Sequence, residues 1–173
     1  GISGTGGGFS RFCKGEIDLS DASRPMRLSE AKLCKDNNIG SWRAFTVAND
    51  ALTVVVNQQN TWARCLTVAE LKKIWEPGSK VDNWKDVRAG FPDVPLKLFG
   101  PGTDSGTFEY YTEAINGRAR ASRTDYQASE DDNVLVQGVS GERGGMGYFG
   151  FSYYEENQSR LNAIQVTNPK TNQ

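Results

Sequence analysis

The sequence contains no histidine among its 173 residues. That absence removes the commonest general base and every Ser-His or Cys-His nucleophile pair, leaving only lysine or carboxylate groups for catalysis. A binding protein rather than an enzyme is therefore expected. Cysteine is scarce and odd in number: Cys13, Cys34 and Cys65, at spacings that match no zinc pattern. Neither a metal nor a cofactor is expected. The three are either buried thiols or include one bridge, Cys13 to Cys34, which would imply an oxidising compartment. Closing that loop would stabilise the chain by about 3 kcal/mol. Excess charge of either sign is also missing, since 20 Lys and Arg stand against 21 Asp and Glu. A basic stripe is the usual footprint of a nucleic-acid binder, so none is expected as a partner. No apolar run approaches the roughly 20 residues that a spanning helix needs. No basic-then-apolar signal segment opens the chain, which starts abruptly on Gly1-Ile2-Ser3-Gly4.

What is present suffices for a core: 37% of residues are hydrophobic, in a chain of 19.0 kDa. That size fits one domain or two small lobes. Strand-like and helix-like pieces alternate, which indicates an α/β fold. Phe9 to Cys13 reads as a short helix, and Ser29 as the cap of another through Cys34. Ala51 to Val56 is β-branched and apolar on both faces, as a central strand should be. Thr67 with Glu70 forms a capping box that opens a helix through Leu71, Ile74 and Trp75, ended by Pro77-Gly78. Leu96 to Phe99 reads as a strand, and Phe108, Tyr111, Ala114 and Ile115 have helical spacing. Ser129 and Asp132 are candidate caps for a helix over Val134 to Val139. Met146 to Gly150 and Leu161 to Val166 complete the strands. Of the aromatics Tyr110, Tyr111, Tyr148, Phe149, Tyr153 and Tyr154, most should be core rather than a stacking platform.

Two segments place small residues and hydroxyls immediately before a helix: Ser3-Gly4-Thr5-Gly6-Gly7-Gly8 and Thr103-Asp104-Ser105-Gly106-Thr107. Glycine admits close backbone approach, a first helical turn offers unpaired N–H donors and a positive dipole end, and hydroxyls add directed donors. Both turns therefore suit an anion. Neither is a nucleotide loop: the first lacks a Gly-Lys-Ser/Thr ending, and Phe9 stands where a dinucleotide fingerprint needs its last glycine. Between them runs Asp18-Leu19-Ser20-Asp21-Ala22-Ser23-Arg24-Pro25. Arg24, pinned by Pro25, can fork onto two oxygens of an oxyanion or onto Asp18 or Asp21.

These segments, with Phe99-Gly100-Pro101-Gly102 leading into the second turn and Gly147-Tyr148-Phe149-Gly150-Phe151 near the end, resemble the PstS family in order and spacing. That family comprises the phosphate-binding proteins of bacterial phosphate ABC transporters. The resemblance implies an α/β fold of periplasmic-binding-protein type II, with phosphate in a cleft between two lobes. It places residues 1–48 in a partial first lobe, 49–168 in a second lobe, and 169–173 in a tail toward a second crossover. Family members begin with a strand and a phosphate-contacting turn not seen here and continue past that crossover, so the first lobe is expected to be incomplete. The phosphate ligands implied are Ser3, Thr5, Gly6, Ser23, Arg24, Asp104, Ser105, Gly106 and Thr107. Many members have an aspartate where Arg24 stands and an arginine before the second turn, where this chain has Pro101-Gly102. Arg24 is therefore expected to supply the cation from the opposite lobe. Phosphate carries a proton that sulfate lacks, so a carboxylate acceptor would favour it. Asp21 and Asp104 are the candidates, although Asp104 also suits a helix cap. The partners implied are inorganic phosphate and the permease subunits of an ABC transporter. The resemblance further implies a monomer, periplasmic or extracellular, with membrane attachment only through the transporter or a lipid anchor outside this chain. The alternative ligand is another tetrahedral oxyanion, such as sulfate, molybdate or tungstate, and the more distant alternative is a phosphate-ester hydrolase.

Overall fold

Chain contacts divide the protein into two units, one of residues 1–50 with 104–106, the other of 51–103 with 107–173. The computed structural model describes residues 4–167, so the expected ligand Ser3 and the tail 169–173 lie outside the described residues.

In the larger unit a five-stranded sheet has the order β4-β3-β5-β1-β6. Its strands are β1 (Leu52–Asn57), β3 (Lys97–Gly100), β4 (Gln127–Ala128), β5 (Gly145–Gly150) and β6 (Leu161–Ala163). A separate pair joins β2 (Cys65–Thr67) to β7 (Gln165–Thr167) in parallel. β3 runs parallel to β4 and β5, whereas β1 runs antiparallel to both β5 and β6. The two-sided apolar pattern of β1 follows from this interior position. Val54 and Val56 enter one core cluster with Leu98, Met146 and Tyr148; Val55 enters the other with Phe99, Phe149 and Leu161. Alternate side chains of a strand point to opposite faces, so each interior strand supplies both cores.

The helices of this unit are α3 (Val68–Trp75), α4 (Trp84–Val87), α5 (Gly106–Asn116), whose first residue belongs to the smaller unit, α6 (Asp132–Gly141) and α7 (Phe151–Glu156). α3 and α5 bring Leu71, Ile74, Trp75, Phe108 and Tyr111 to the first cluster, and α6 brings Leu135, Val136 and Val139 to the second. Tyr111 and Tyr148 stack at 3.7 Å, with Trp75 edge-on to both. Tyr110 is exposed, and Ala114 also faces solvent although its spacing pointed inward.

Local chemistry sets several boundaries. Thr67 Oγ1 accepts the Glu70 N–H and the Glu70 carboxylate accepts the Thr67 N–H, the reciprocal cap legible in the sequence. Asp131, rather than Ser129 or Asp132, caps α6 by accepting the Asn133 N–H. The expected strand over Leu161 to Val166 is two strands. The Ile164 N–H donates to Val54 O and the next amide, of Gln165, to Arg64 O, so the chain changes sheets at that step.

The smaller unit contains α1 (Thr5–Phe12) and α2 (Leu28–Asp36), and no strand among its described residues. Among its described residues the buried apolar side chains are Phe9, Cys13 and Cys34, while Leu19, Leu28, Phe45 and Val47 are exposed. A disulfide joins Cys13, the C-cap of α1, to Cys34 in α2. α1 starts earlier than the Phe9–Cys13 reading, at Thr5, so Gly6, Gly7 and Gly8 lie inside its first turns rather than before them. α2 is preceded by Arg27 as N-cap, and Ser29, the expected cap, sits within the helix. The boundary of this unit differs from the expected 1–48 mainly through residues 104–106, which group with it.

Candidate anion site

The smaller unit assembles three stretches that the sequence separates widely. The Ser23 N–H donates to Thr5 Oγ1 at 3.2 Å, and Thr5 is buried. A β-carbon at Gly106 would stand 2.5 Å from Ser23 Oγ and 3.8 Å from Thr5 Oγ1, so the Gly106 backbone rests against both hydroxyl-bearing residues. A β-carbon at Gly4 would lie 2.2 Å from the Asp104 carbonyl oxygen, which no L side chain tolerates. Thr5, Ser23, Asp104 and Gly106 are thus brought together, with Thr5 opening α1 and Gly106 opening α5.

The first intrahelical bond of α1 runs from the Gly8 N–H to Gly4 O, so the amides of Thr5, Gly6 and Gly7 have no acceptor inside the helix. Gly4 provides no side-chain cap, and the first turn carries no acidic residue. That end of α1 therefore combines donors with a positive dipole end and no acidic residue of its own, a combination suited to an anion.

Arg24 reaches the same turn. A β-carbon at Gly6 would be 3.7 Å from one terminal guanidinium nitrogen of Arg24, an ordinary contact. The salt-bridge alternative expected for Arg24 is Asp18 or Asp21; a bridge is observed with Glu30. Arg24 Nη1 donates to Glu30 Oε2 at 2.9 Å and Nη2 to Glu30 Oε1 at 2.8 Å. Nη1 also donates to Pro25 O, and the guanidinium lies 5.5 Å from the centre of the Phe9 ring. The Arg24 bonds hold the Glu30 carboxyl below its usual range; burial opposes this and the Arg27 N–H reinforces it. Ser29, the more orthodox cap residue, hides Glu30 in the sequence. With Arg27 at the N-cap, Glu30 occupies the third helical position, where a carboxylate accepts the cap N–H, as it does here at 2.8 Å.

Asp21 is exposed, and its carbonyl flanks Gly8. Asp104 is exposed and Ser105 partly buried in the turn before α5; Thr107, the second residue of α5, begins the return to the larger unit.

A family model for the PBP superfamily domain matches residues 3–173, and the chain belongs to that superfamily. Among its relatives, Protein SphX of Synechococcus elongatus is 52% identical over 97% of this chain and 50% of its own length. The phosphate-binding protein PstS of Staphylococcus haemolyticus is 36% identical over 98% of this chain and 52% of its own. The chain thus spans about half the length of the curated relatives it matches. A crystal structure described as a possible phosphate binding protein from Planctomyces limnophilus superposes with a TM-score of 0.75 at 53% identity, over 96% of this chain and 58% of that one. An ABC-type phosphate transport receptor from Vibrio cholerae superposes with a TM-score of 0.73 at 25% identity, over 96% and 63%.

Proposed function

We propose that this chain binds inorganic phosphate for delivery to an ABC transporter, through Thr5, Gly6, Ser23, Arg24, Asp104, Ser105, Gly106 and Thr107, with Ser3 as a further ligand. One observation carries the reading: Ser23 is seated between the residues that open two helices, Thr5 of α1 and Gly106 of α5, with the Arg24 fork beside Gly6. Amides, hydroxyls and one guanidinium stabilise a tetrahedral anion without a full counter-ion for each charge. The Staphylococcus phosphate-binding protein and the Vibrio phosphate transport receptor, both similar to this chain, support the same ligand. Binding rather than catalysis suits a chain without histidine. A location outside the cytoplasm suits the Cys13–Cys34 bridge, because such bonds persist in oxidising compartments. Among the described residues no helix is long and apolar enough to cross a membrane.

Titration calorimetry of the complete gene product against phosphate, sulfate and molybdate tests the proposal. Phosphate should bind most tightly, and Arg24→Ala should weaken it by about 2 kcal/mol or more. A loss below about 0.5 kcal/mol would remove Arg24 from the ligand set, well under the scale of a charge-assisted bond. Tighter binding of sulfate or molybdate would reassign the ligand, and no heat with any anion would reject the site.

A further inference from the structure

We propose that Glu30 is the positioning residue of this anion site, holding the Arg24 guanidinium in the orientation in which it meets phosphate. The inference rests on the phosphate reading above and extends it to a residue that need not touch the ligand.

The pair is built for orientation. Both terminal nitrogens of Arg24 are engaged by the two oxygens of Glu30, at 2.9 and 2.8 Å, with the side chains only 19% and 17% exposed. Glu30 is itself immobilised, since its Oε2 accepts the Arg27 N–H at 2.8 Å in the first turn of α2. α2 is bonded to α1 through Cys13 and Cys34, and the Cys13 sulfur lies 3.4 Å from the Glu30 carbonyl oxygen. A bridged sulfur has no proton to donate, so that approach is packing of the disulfide against the Glu30 backbone. Phe9 of α1 lies against the guanidinium and Pro25 O accepts from it. Held by α2, α1 and its own loop, the fork stands beside Gly6, where β-carbon distances would be 3.7 Å to Arg24 and 3.8 Å to Glu30. An arginine that must be ordered at binding loses affinity to rotamer entropy, and one ordered beforehand does not.

Two other roles for Glu30 make opposite predictions. A carboxylate that merely stands near the anion would repel it, and its removal would tighten phosphate binding. A cross-link that serves only the fold would lower stability without reference to Arg24. Glu30→Gln separates the three, because glutamine keeps the length and still accepts the Arg27 N–H while losing the charged fork.

The experiment measures inorganic phosphate binding by calorimetry on the complete gene product, as wild type, E30Q, R24A, R24K and the R24A/E30Q double variant. It also follows the rotation of the Arg24 guanidinium by 15N NMR without ligand. E30Q should bind about tenfold more weakly, within the range for directly coupled residues, and its guanidinium should rotate faster. The double variant should bind no more than about twofold more weakly than R24A, because Glu30 acts through Arg24. R24K, which keeps the charge but cannot fork, should also bind more weakly. Wild-type affinity in E30Q or R24K, tighter binding in E30Q, additive losses in the double variant, or unchanged rotation each overturns the role of Glu30 alone. A wild-type protein that binds no phosphate overturns the functional reading itself, and this inference with it.

Discussion

Gly4, Gly6 and Gly8 stand at alternate positions of one turn yet face different neighbours. A β-carbon at Gly4 would meet the backbone oxygen of Asp104 at 2.2 Å, and one at Gly8 would meet the hydroxyl of Ser20 at 2.5 Å. At Gly6 the nearest atoms, at 3.7 and 3.8 Å, are the tips of two long side chains. Gly4→Ala should therefore destabilise the protein by about 1–3 kcal/mol, the usual cost of forcing an atom into packed backbone. Gly6→Ala should be neutral or stabilising by up to about 1 kcal/mol, since alanine favours a helix interior. Thermal unfolding decides this, and equal midpoints for the two variants would contradict the steric account. The sequence showed that these glycines matter but assigned the room to a ligand. Gly4 and Gly106 also seat one chain segment on another, and the neighbours responsible come from distant stretches that no local pattern reveals. Thr5, Ser23 and Arg24 were legible because hydroxyls and a guanidinium beside glycine-rich turns are a chemical pattern in their own right.

The capping box of α3 and the half-box of α2, in which only the Glu30 carboxylate accepts the cap N–H, differ in how openly the sequence displays them. Thr67 and Glu70 have the standard residue types and stood out, whereas Arg27 and Glu30 were hidden by the more orthodox Ser29. At α6, Ser129, Asp131 and Asp132 compete within one turn, and propensity alone cannot rank them. The Glu70 cap has a partner that only the fold supplies. Arg88 donates to its carboxylate at 2.6 and 2.7 Å, and with the Thr67 bonds, against opposing burial, this brings the Glu70 carboxyl from 4.5 to about 2. A carboxyl lowered by folding contributes stability that is complete above its ordinary value and is lost as protons titrate it in the folded state. The contribution of Glu70 should thus be constant above pH 4.5 and decline between about 4.5 and 2. Glu70→Gln should flatten the acid limb of stability in that window. An identical acid limb in variant and wild type, followed by denaturant midpoints against pH, would count against the Arg88 link.

The alternation of strands and helices announced an α/β fold, and the two-faced pattern of β1 announced its interior place. What composition could not show is the uneven cohesion of the two units. The larger holds a five-stranded sheet and two apolar clusters. Among its described residues the smaller buries Phe9, Cys13 and Cys34 as its apolar side chains, and two of those three are the halves of one bond. A bridge spanning 21 positions restrains the unfolded chain by about 3 kcal/mol, a large share of what so small a core can provide. Reduction should therefore loosen the smaller unit first. Hydrogen exchange should accelerate over Thr5–Phe12 and Leu28–Asp36 while Leu52–Asn57 and Gly145–Gly150 keep their protection. Uniform acceleration, or none, would contradict that hierarchy. The chain path adds a constraint on engineering. Because Asp104–Gly106 belongs with residues 1–50, a chimera that exchanges the smaller unit with a relative has three splice junctions rather than one: after Asp50, before Asp104 and after Gly106. A graft joined at Asp50 alone would pair a foreign Ser23 seat with the resident Gly106, and the fit of the resident Asp104–Gly106 tripeptide would decide whether the hybrid smaller unit assembles.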